Sequence, residues 1–287
     1  MTIDLHTHSR VSDGTAAPRD LVHAAATAGL DVVALTDHDT TLGWDEAAAA
    51  AVEAGIALVR GIEISTRFRG AGVHLLAYLP DATDVPLQEE LARIVAGRED
   101  RVPTMLARLR ELGIPATAEA LAEATGGSEV TGRPHIADLL VHLGVVRDRD
   151  QAFAQYLAEG GPAFVDRYAA ELVTMIGLVR GAGGVPVIAH PWGRGSAHVL
   201  DEPAIVGLKE AGLAGLEVDH LDHAPHTRAQ LRAIAGRLDL VATGSSDHHG
   251  TGKTGHDLGC ETTAPDQLAR ILDQAAGSPT TIVGKAG

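Results

Sequence analysis

The sequence predicts an α/β fold whose mostly parallel sheet closes, or nearly closes, into a barrel. Two observations carry that expectation. Short apolar runs alternate with amphipathic helical patterns over both ends of the 287-residue chain, as strand–helix units laid side by side require. Between about residues 82 and 165 the alternation stops and only helical patterns remain. An inserted helical piece is therefore expected to divide the barrel into parts at 1–81 and 166–287. A doubly wound open sheet is the competing architecture. Its dinucleotide-binding form is disfavoured, because no Gly-x-Gly-x-x-Gly follows the first strand.

The first strand is expected at 3–5, and the first helix at 18–28, with Pro18 in its first turn and Gly29 past its end. A second strand (31–36), a second helix (42–54, closed by Gly55) and a third strand (57–64) follow. The fourth strand, 73–79, comes after the short link 67–72. With Gly70 and Gly72 inside it, that link favours a hairpin over a helical crossover. Breaks at Gly113-Ile114-Pro115 and Gly126-Gly127 punctuate the insertion. Beyond it come helix 172–180, strand 185–189, helix 203–211 and strand 215–218. Helix 225–237, strand 240–243, helix 265–275 and a last strand at 280–283 complete the pattern.

Composition narrows the function classes. The 45% hydrophobic and 21% charged content is that of an ordinary globular protein. Aromatics make up only 3%, which argues against stacking platforms for single-stranded nucleic acid. The formal charge of −15 repels polyanions at long range, so binding along duplex DNA is disfavoured, although metal ions could reverse the local field for a small phosphorylated substrate. No stretch approaches the roughly 18 consecutive apolar residues of a membrane span, and Met1-Thr2-Ile3-Asp4 leads directly into a polar motif. A cytoplasmic location is the expectation. Cys260 is the only cysteine, so neither an intramolecular disulfide nor a thiolate metal site can form.

The 15 histidines say more, because of where they fall. His6 and His8 come directly after the first strand, with Asp13 in the same loop. Asp37-His38-Asp39 follows the second strand, and Glu63 closes the third. His190 closes strand 185–189, Asp219 and His220 the next, and Asp247 and His249 lie just beyond strand 240–243. In a parallel barrel all these ends share one mouth, where such folds place their active sites. His74 opens its strand, yet a hairpin would bring it beside Glu63. Taken singly, Asp37-His38-Asp39 reads as an Asx turn, His74 as a core histidine and His190-Pro191 as a strand terminus. A semi-buried Glu63 needs a partner. Joint placement turns these into a metal site with nitrogen and oxygen donors, suited to Mn²⁺, Fe²⁺ or Zn²⁺.

Six segments, in order along nearly the whole chain, resemble the PHP (polymerase and histidinol phosphatase) phosphoesterases. They are Asp4-Leu5-His6-Thr7-His8-Ser9 with Ser12-Asp13-Gly14, Leu35-Thr36-Asp37-His38-Asp39 and Gly61-Ile62-Glu63-Ile64-Ser65. Gly72-Val73-His74-Leu75-Leu76-Ala77-Tyr78, Ala189-His190-Pro191 and Gly244-Ser245-Ser246-Asp247-His248-His249-Gly250 complete the set. The resemblance implies a distorted (β/α)7-type barrel with an all-helical insertion that caps the substrate, and two to three divalent metal ions. One ion is expected between His6, His8, Glu63 and Asp247. A second would share Glu63 and take His74 and His190, and a third would use Asp13, His38 and His249. The Asp-x-His spacing favours His249 over His248 as the ligand.

Among such enzymes, the sequence is most similar to phosphatases acting on nucleoside 3′,5′-bisphosphates, some of which act on AMP or short RNA ends. They share the insertion and a Gly132-Arg133-Pro134-His135 segment. The expectation is hydrolysis by a metal-bridging hydroxide, with Glu63 and Asp247 central to catalysis. Arg133 and His135 are expected to touch the substrate, and His135 could instead replace one of the second ion's histidines. His220 and His223 are candidates for protonating the leaving alkoxide, with His223 also near the substrate. His23, His142, His198, His226 and His256 are expected to be solvated. A cyclic phosphate ester hydrolase of phosphorylated sugars is the rival within the family. A non-catalytic metal-binding module is the rival outside it.

Overall fold

A computed structural model describes residues 1–126, 131–193 and 195–277. Its strands are β1 (Ile3–Asp4), β2 (Val32–Leu35), β3 (Ala57–Phe68), β4 (Ala71–Tyr78), β5 (Ala170–Glu171), β6 (Val185–Ile188), β7 (Gly215–Asp219) and β8 (Val241–Gly244). They form one sheet in the order β1-β2-β3-β4-β6-β7-β8, with β5 paired to the far end of β3. Every neighbouring pair on that path is parallel except those made by β4, which runs antiparallel to both β3 and β6. Two reversals cancel, so β6, β7 and β8 point the same way as β1, β2 and β3. A parallel bridge between Thr7 and His248, with His8 N–H donating to the His248 carbonyl at 2.8 Å, draws the two ends of the sheet together. The barrel is nearly closed.

The fold follows from the period of two along each strand. Val32 and Ala34 of β2 point into the barrel with Ile3, Leu5, Val59, Leu76, Val187 and Val241. Val33 and Leu35 point outward, into a core shared with helices α1 (Pro18–Thr27), α2 (Trp44–Ala54) and the later barrel helices. A fully buried Leu, Ile or Val contributes about 1.5–3 kcal/mol, so a one-residue slip of any strand would cost several such terms. α2 stops where Gly55 takes the left-handed conformation (φ 70°), as its place past the last apolar turn predicts.

Between β4 and β5 the chain makes α3 (Val85–Glu111), α4 (Ala118–Thr125), α5 (Arg133–His142), the short α6 (Arg149–Ala152) and one π-helical turn (Phe153–Leu157). Met105, Leu109, Leu121, Ile136, Leu140 and Leu157 form an apolar cluster of their own there. The start of α3 belongs elsewhere, because Leu87, Leu91 and Ile94 pack into the barrel's outer core. After β5 come α7 (Leu172–Gly181), α8 (Glu202–Glu210), α9 (Pro225–Arg237) and α10 (Pro265–Gln274).

The hairpin reading holds, and β3 extends to Phe68, beyond the expected end at 64. β5 has too few residues to show a pattern in the sequence. The strand expected at 280–283 lies outside the described residues.

Candidate metal centre and active site

Topology places the C-terminal ends of β1, β2, β3, β6, β7 and β8 at one mouth, and Glu63 stands at its centre. Glu63 Oε2 lies 3.2 Å from His6 Nε2, 3.2 Å from His8 Nε2 and 3.3 Å from His38 Nδ1. Its Oε1 lies 2.7 Å from His74 Nδ1 and 3.0 Å from His190 Nε2. His74 reaches it because the β3–β4 register sets Ser65 against His74, two residues along the ladder. Asp247 Oδ1 closes the far side, 3.4 Å from both His6 Nε2 and His8 Nε2.

Asp13 anchors a neighbouring group. It lies 3.3 Å from His249 Nε2, 3.6 Å from His38 Nε2 and 3.6 Å from His8 Nδ1. His249 faces Asp13, whereas His248 turns away to the His256 carbonyl. Four sets of donor atoms converge within 4.8 Å among the described residues: His6-His8-Glu63-Asp247, His38-Glu63-His74, His8-Asp13-His38-His249 and His220-Asp247-His256. All nine residues expected as ligands lie in this one region. The grouping differs in detail: His38 joins Glu63 and His74 as well as Asp13, and His8 borders both the first and third sets.

The first set fits a cation. His6 Nε2 and both ring nitrogens of His8 are buried without a hydrogen-bond partner, a costly state unless something else meets them. Donors about 2.0–2.1 Å from a tetrahedral ion stand about 3.3–3.4 Å apart, close to the 3.2–3.4 Å seen among these atoms. The protonation pattern agrees. Burial pushes the carboxyls of Asp13, Glu63 and Asp247 up, but surrounding cationic groups outweigh it and hold all three well below the usual range. Burial pulls the His8 imidazole down, and Asp247, Glu63 and Asp13 overcome it, raising His8 to about 9. Burial dominates at His38, which falls to about 3. Buried anions that recruit protons in this way are sites where a divalent ion competes well.

Comparison with known proteins agrees with that chemistry. A profile described as "PHP domain" matches residues 4–96. A 5′-3′ exoribonuclease of Haemophilus influenzae is 39% identical over 86% of this chain and 89% of its own. The chain belongs to the PHP family. With it, the protein belongs to the metal-dependent phosphoesterases. A 3′,5′-nucleoside bisphosphate phosphatase of Chromobacterium violaceum is 36% identical over 90% of each chain. A crystal structure of a Bifidobacterium adolescentis protein, assigned as a metal-dependent phosphoesterase, superposes with a TM-score of 0.91 at 37% identity over 96% of each chain.

Around the PHP site, buried carboxylates and strained turns fix the donors. Glu217, inside β7, accepts from His6 Nδ1 at 2.9 Å and from the His190 backbone N–H at 2.7 Å. With its proton on Nδ1, His6 turns the Nε2 lone pair toward Glu63 and Asp247. Burial raises the Glu217 carboxyl, but His6 chiefly, with His220 and His190, lowers it to about 2. Asp37, read singly as a turn residue, accepts from Ser9 N–H (2.8 Å), Ser9 Oγ (2.6 Å) and Ser12 Oγ (2.6 Å), bracing the loop that holds His8 and Asp13. Asp39, His190 and Asp247 all adopt left-handed backbone conformations (φ 58°, 30° and 52°), which side-chain-bearing residues rarely tolerate. Such strain persists where the surroundings impose it, typically at functional sites.

Of the remaining expected site residues, His220 is buried with Nε2 3.2 Å from Asp247 Oδ2. His223 Nδ1 donates to the Val218 carbonyl at 2.9 Å, and its Nε2 is buried without a hydrogen-bond partner. His135 is buried, accepts from Gly132 N–H at 3.0 Å and sits against the Ser12–Asp13 loop. Arg133 lies over the rings of Phe153 and Phe164 and reaches the Leu157 carbonyl. Asp219, at the end of β7, pairs with Arg232 on α9.

The expectation of a solvated His256 is overturned. His256 is buried, bonded through Nδ1 to the Ser246 carbonyl at 2.6 Å, and grouped with His220 and Asp247. The reason is tertiary: the loop after β8 folds back on itself. That loop also brings Lys253 Nζ to 2.5 Å from Asp247 Oδ2, a contact no spacing foreshadowed. Glu217 could have been found, since it interrupts an apolar strand just as Glu63 does.

Proposed function

We propose that the protein is a phosphomonoesterase of small nucleotides that releases the 3′-phosphate of nucleoside 3′,5′-bisphosphates, with activity extending to AMP or short RNA ends. The convergence of His6, His8, Asp13, His38, Glu63, His74, His190, Asp247 and His249 on a buried pair of carboxylate hubs carries the phosphoesterase part of this reading. Relatives with bisphosphate-phosphatase and exoribonuclease names support the substrate class. So does a cavity of about 470 Å³ lined by Arg10, Thr15, Thr125, His135, Asp138 and Arg149 beside the Asp13 loop, which has room for a nucleoside.

In this reading the nine residues hold two to three ions of Mn, Fe or Zn type. When bound, those ions supply a water acidified to a pKa of about 7 and charge to neutralise phosphoryl oxygens. Glu63 would help hold more than one of them, since its Oε2 faces His6, His8 and His38 and its Oε1 faces His74 and His190. Glu217 keeps His6 in the ligating tautomer and orients His190. His223, with Nδ1–H committed to Val218, would protonate the departing alkoxide from Nε2 only as the doubly protonated imidazolium, returning to the Nδ1–H neutral form, and His220 holds Asp247 in place. The helices of 82–165 form a cap that closes the cavity and presents Arg133 and His135 toward the substrate. No serine or cysteine nucleophile is required.

The test is a panel assayed with metal-loaded protein: a nucleoside 3′,5′-bisphosphate, AMP, a 5′-phosphorylated RNA fragment, a phosphoribosyl cyclic phosphate and histidinol phosphate. Release of phosphate from the bisphosphate with the highest kcat/KM is expected. Turnover of the cyclic phosphate with inert bisphosphate and AMP would overturn the substrate assignment. Bound metal with no turnover of any phosphoester would instead make the protein a binding module.

A further inference from the structure

Arg149, on the short α6, meets three separate parts of the molecule at once. Its Nε and Nη2 donate to Asp138 Oδ1 and Oδ2 on α5, at 2.6 and 2.7 Å. Such a two-pronged pair fixes a guanidinium in direction as well as in charge. The remaining arm, Nη1, donates to the backbone carbonyl of Asp13 at 3.1 Å. The third neighbour is the loop after β8. A Cβ on Gly252 would lie 2.5 Å from Arg149 Nη1 and 2.7 Å from Cζ, so that backbone runs directly against the guanidinium.

Both loops that Arg149 touches carry donors of one group. The carbonyl it holds belongs to Asp13 itself, and Gly252 N–H donates to the His249 carbonyl at 3.3 Å. Beside it the two loops are stitched together. Thr15 N–H donates to the His249 carbonyl at 3.2 Å, and Thr251 N–H to Thr15 Oγ1 at 3.0 Å. Across that seam Asp13 and His249 Nε2 stand 3.3 Å apart. Ser9, Ser12 and Asp37 brace the Asp13 loop from one side, and Arg149 braces it from the other. Its charge is matched by Asp138, which makes Arg149 a brace rather than an anion site.

Metal ligands must be held within about 0.5 Å of their working positions, so groups that orient a ligand act on the ion without touching it. Without the Asp138 fork, Nη1 could swing away from the Asp13 carbonyl. We infer that Arg149 is a positioning residue for the ion assigned to Asp13, His38 and His249, with Asp138 orienting it for that task. Since both belong to the helical segment, ion and helices stabilise each other through this clasp, as linkage requires. The inference rests on the ion placement in the proposed function, but not on its substrate.

Two measurements test it. In the first, metal-free protein is titrated with Mn²⁺ against a chelator, and Asp13→Asn identifies the ion that depends on this side. Arg149→Met is expected to weaken that same ion roughly 10- to 100-fold and to leave ions at Glu63 unchanged. Arg149→Lys keeps the charge without the fork and should retain part of the affinity. Because Arg149→Met strands the Asp138 carboxylate, the double variant Arg149→Met/Asp138→Leu is measured beside it. It should melt close to wild type and still show the weakened ion. In the second, hydrogen exchange across α5 is compared with and without Mn²⁺. Metal should slow exchange there in wild type but not in Arg149→Met. Equal weakening of every ion, or of none, would overturn the assignment. So would wild-type metal binding by Asp13→Asn, or exchange in α5 that ignores metal in the wild type. If the selective weakening appears and no phosphoester is turned over, the clasp stands and only the catalytic reading falls.

Discussion

Glu63 and Glu217 divide the work at the level of single side chains. One carboxylate faces the donors directly, and the other acts through His6 and His190. Replacing Glu217 by Gln keeps its shape but allows the amide to face His6 with its NH₂, which favours the wrong imidazole tautomer. Metal affinity is expected to fall roughly 10- to 100-fold, measured by competition with a chelator, while the fold stays intact by circular dichroism. Unchanged affinity would remove Glu217 from the support of the centre. Some of these residues were legible early. An acid in an apolar strand, as at Glu63, demands an explanation from sequence alone, and His-x-His after a strand narrows it. His256, Lys253 and Arg101 gave no such signal. Lys253 and His256 meet Asp247 and Ser246 only because the loop after β8 turns back on itself, and Arg101 has no hydrogen-bond or ion-pair partner among the described residues, which neither polarity nor period records.

Loops and hairpins, rather than strands, decide how those side chains meet. The loop after β1 is stitched to Asp37 by Ser9 and Ser12, and folds so tightly that a Cβ on Gly14 would lie 2.2 Å from the His8 carbonyl oxygen and 2.6 Å from its carbon. The neighbour is backbone, so it cannot swing aside. Gly14→Ala is therefore expected to displace Asp13 from His38 and His249, lowering the metal content per chain and costing about 1–3 kcal/mol of stability. Elemental analysis and urea denaturation would measure both. Wild-type metal content in that variant would show that the loop tolerates the shift. The β3–β4 hairpin was readable from its glycine-bearing link, and with it the approach of His74 to Glu63. The two-residue β5, the π-helical turn and the return of the loop after β8 were not, because each is held by contacts rather than by local pattern.

Across the whole molecule, the centre ties stability to pH. His8 rises from 6.5 to about 9 on folding of the metal-free chain, so its contribution is complete below pH 6.5 and lost as pH rises through 9. Glu217 falls from 4.5 to about 2, so its contribution is complete above pH 4.5 and lost as pH drops toward 2. Burial lowers His38 from 6.5 to about 3, so the folded state loses stability as pH falls from 6.5 toward 3. Metal-free protein is expected to be most stable near pH 6.5 and to melt progressively lower from pH 6.5 to 9. Metal must displace the His8 proton, so affinity runs the other way and climbs with pH up to about 9. Melting curves with and without a chelator should therefore diverge as pH rises. Parallel curves would show that His8 carries no such proton. No helix among the described residues is long and apolar enough to cross a membrane.

From its sequence alone, this chain settles its alternating strands and helices, the interruption of the barrel by helices, and the placing of histidines and acids at strand ends. All of these are written in local periodicity and in which residues sit next to one another. Tertiary structure decided how the donors are shared among neighbouring groups, that Glu217 orients two of them, that His256 is buried, and that Arg101 Nε has no hydrogen-bond partner among the described residues. These depend on which segments, near or far along the chain, are folded to within a few ångströms of one another, and a linear pattern holds no record of that distance.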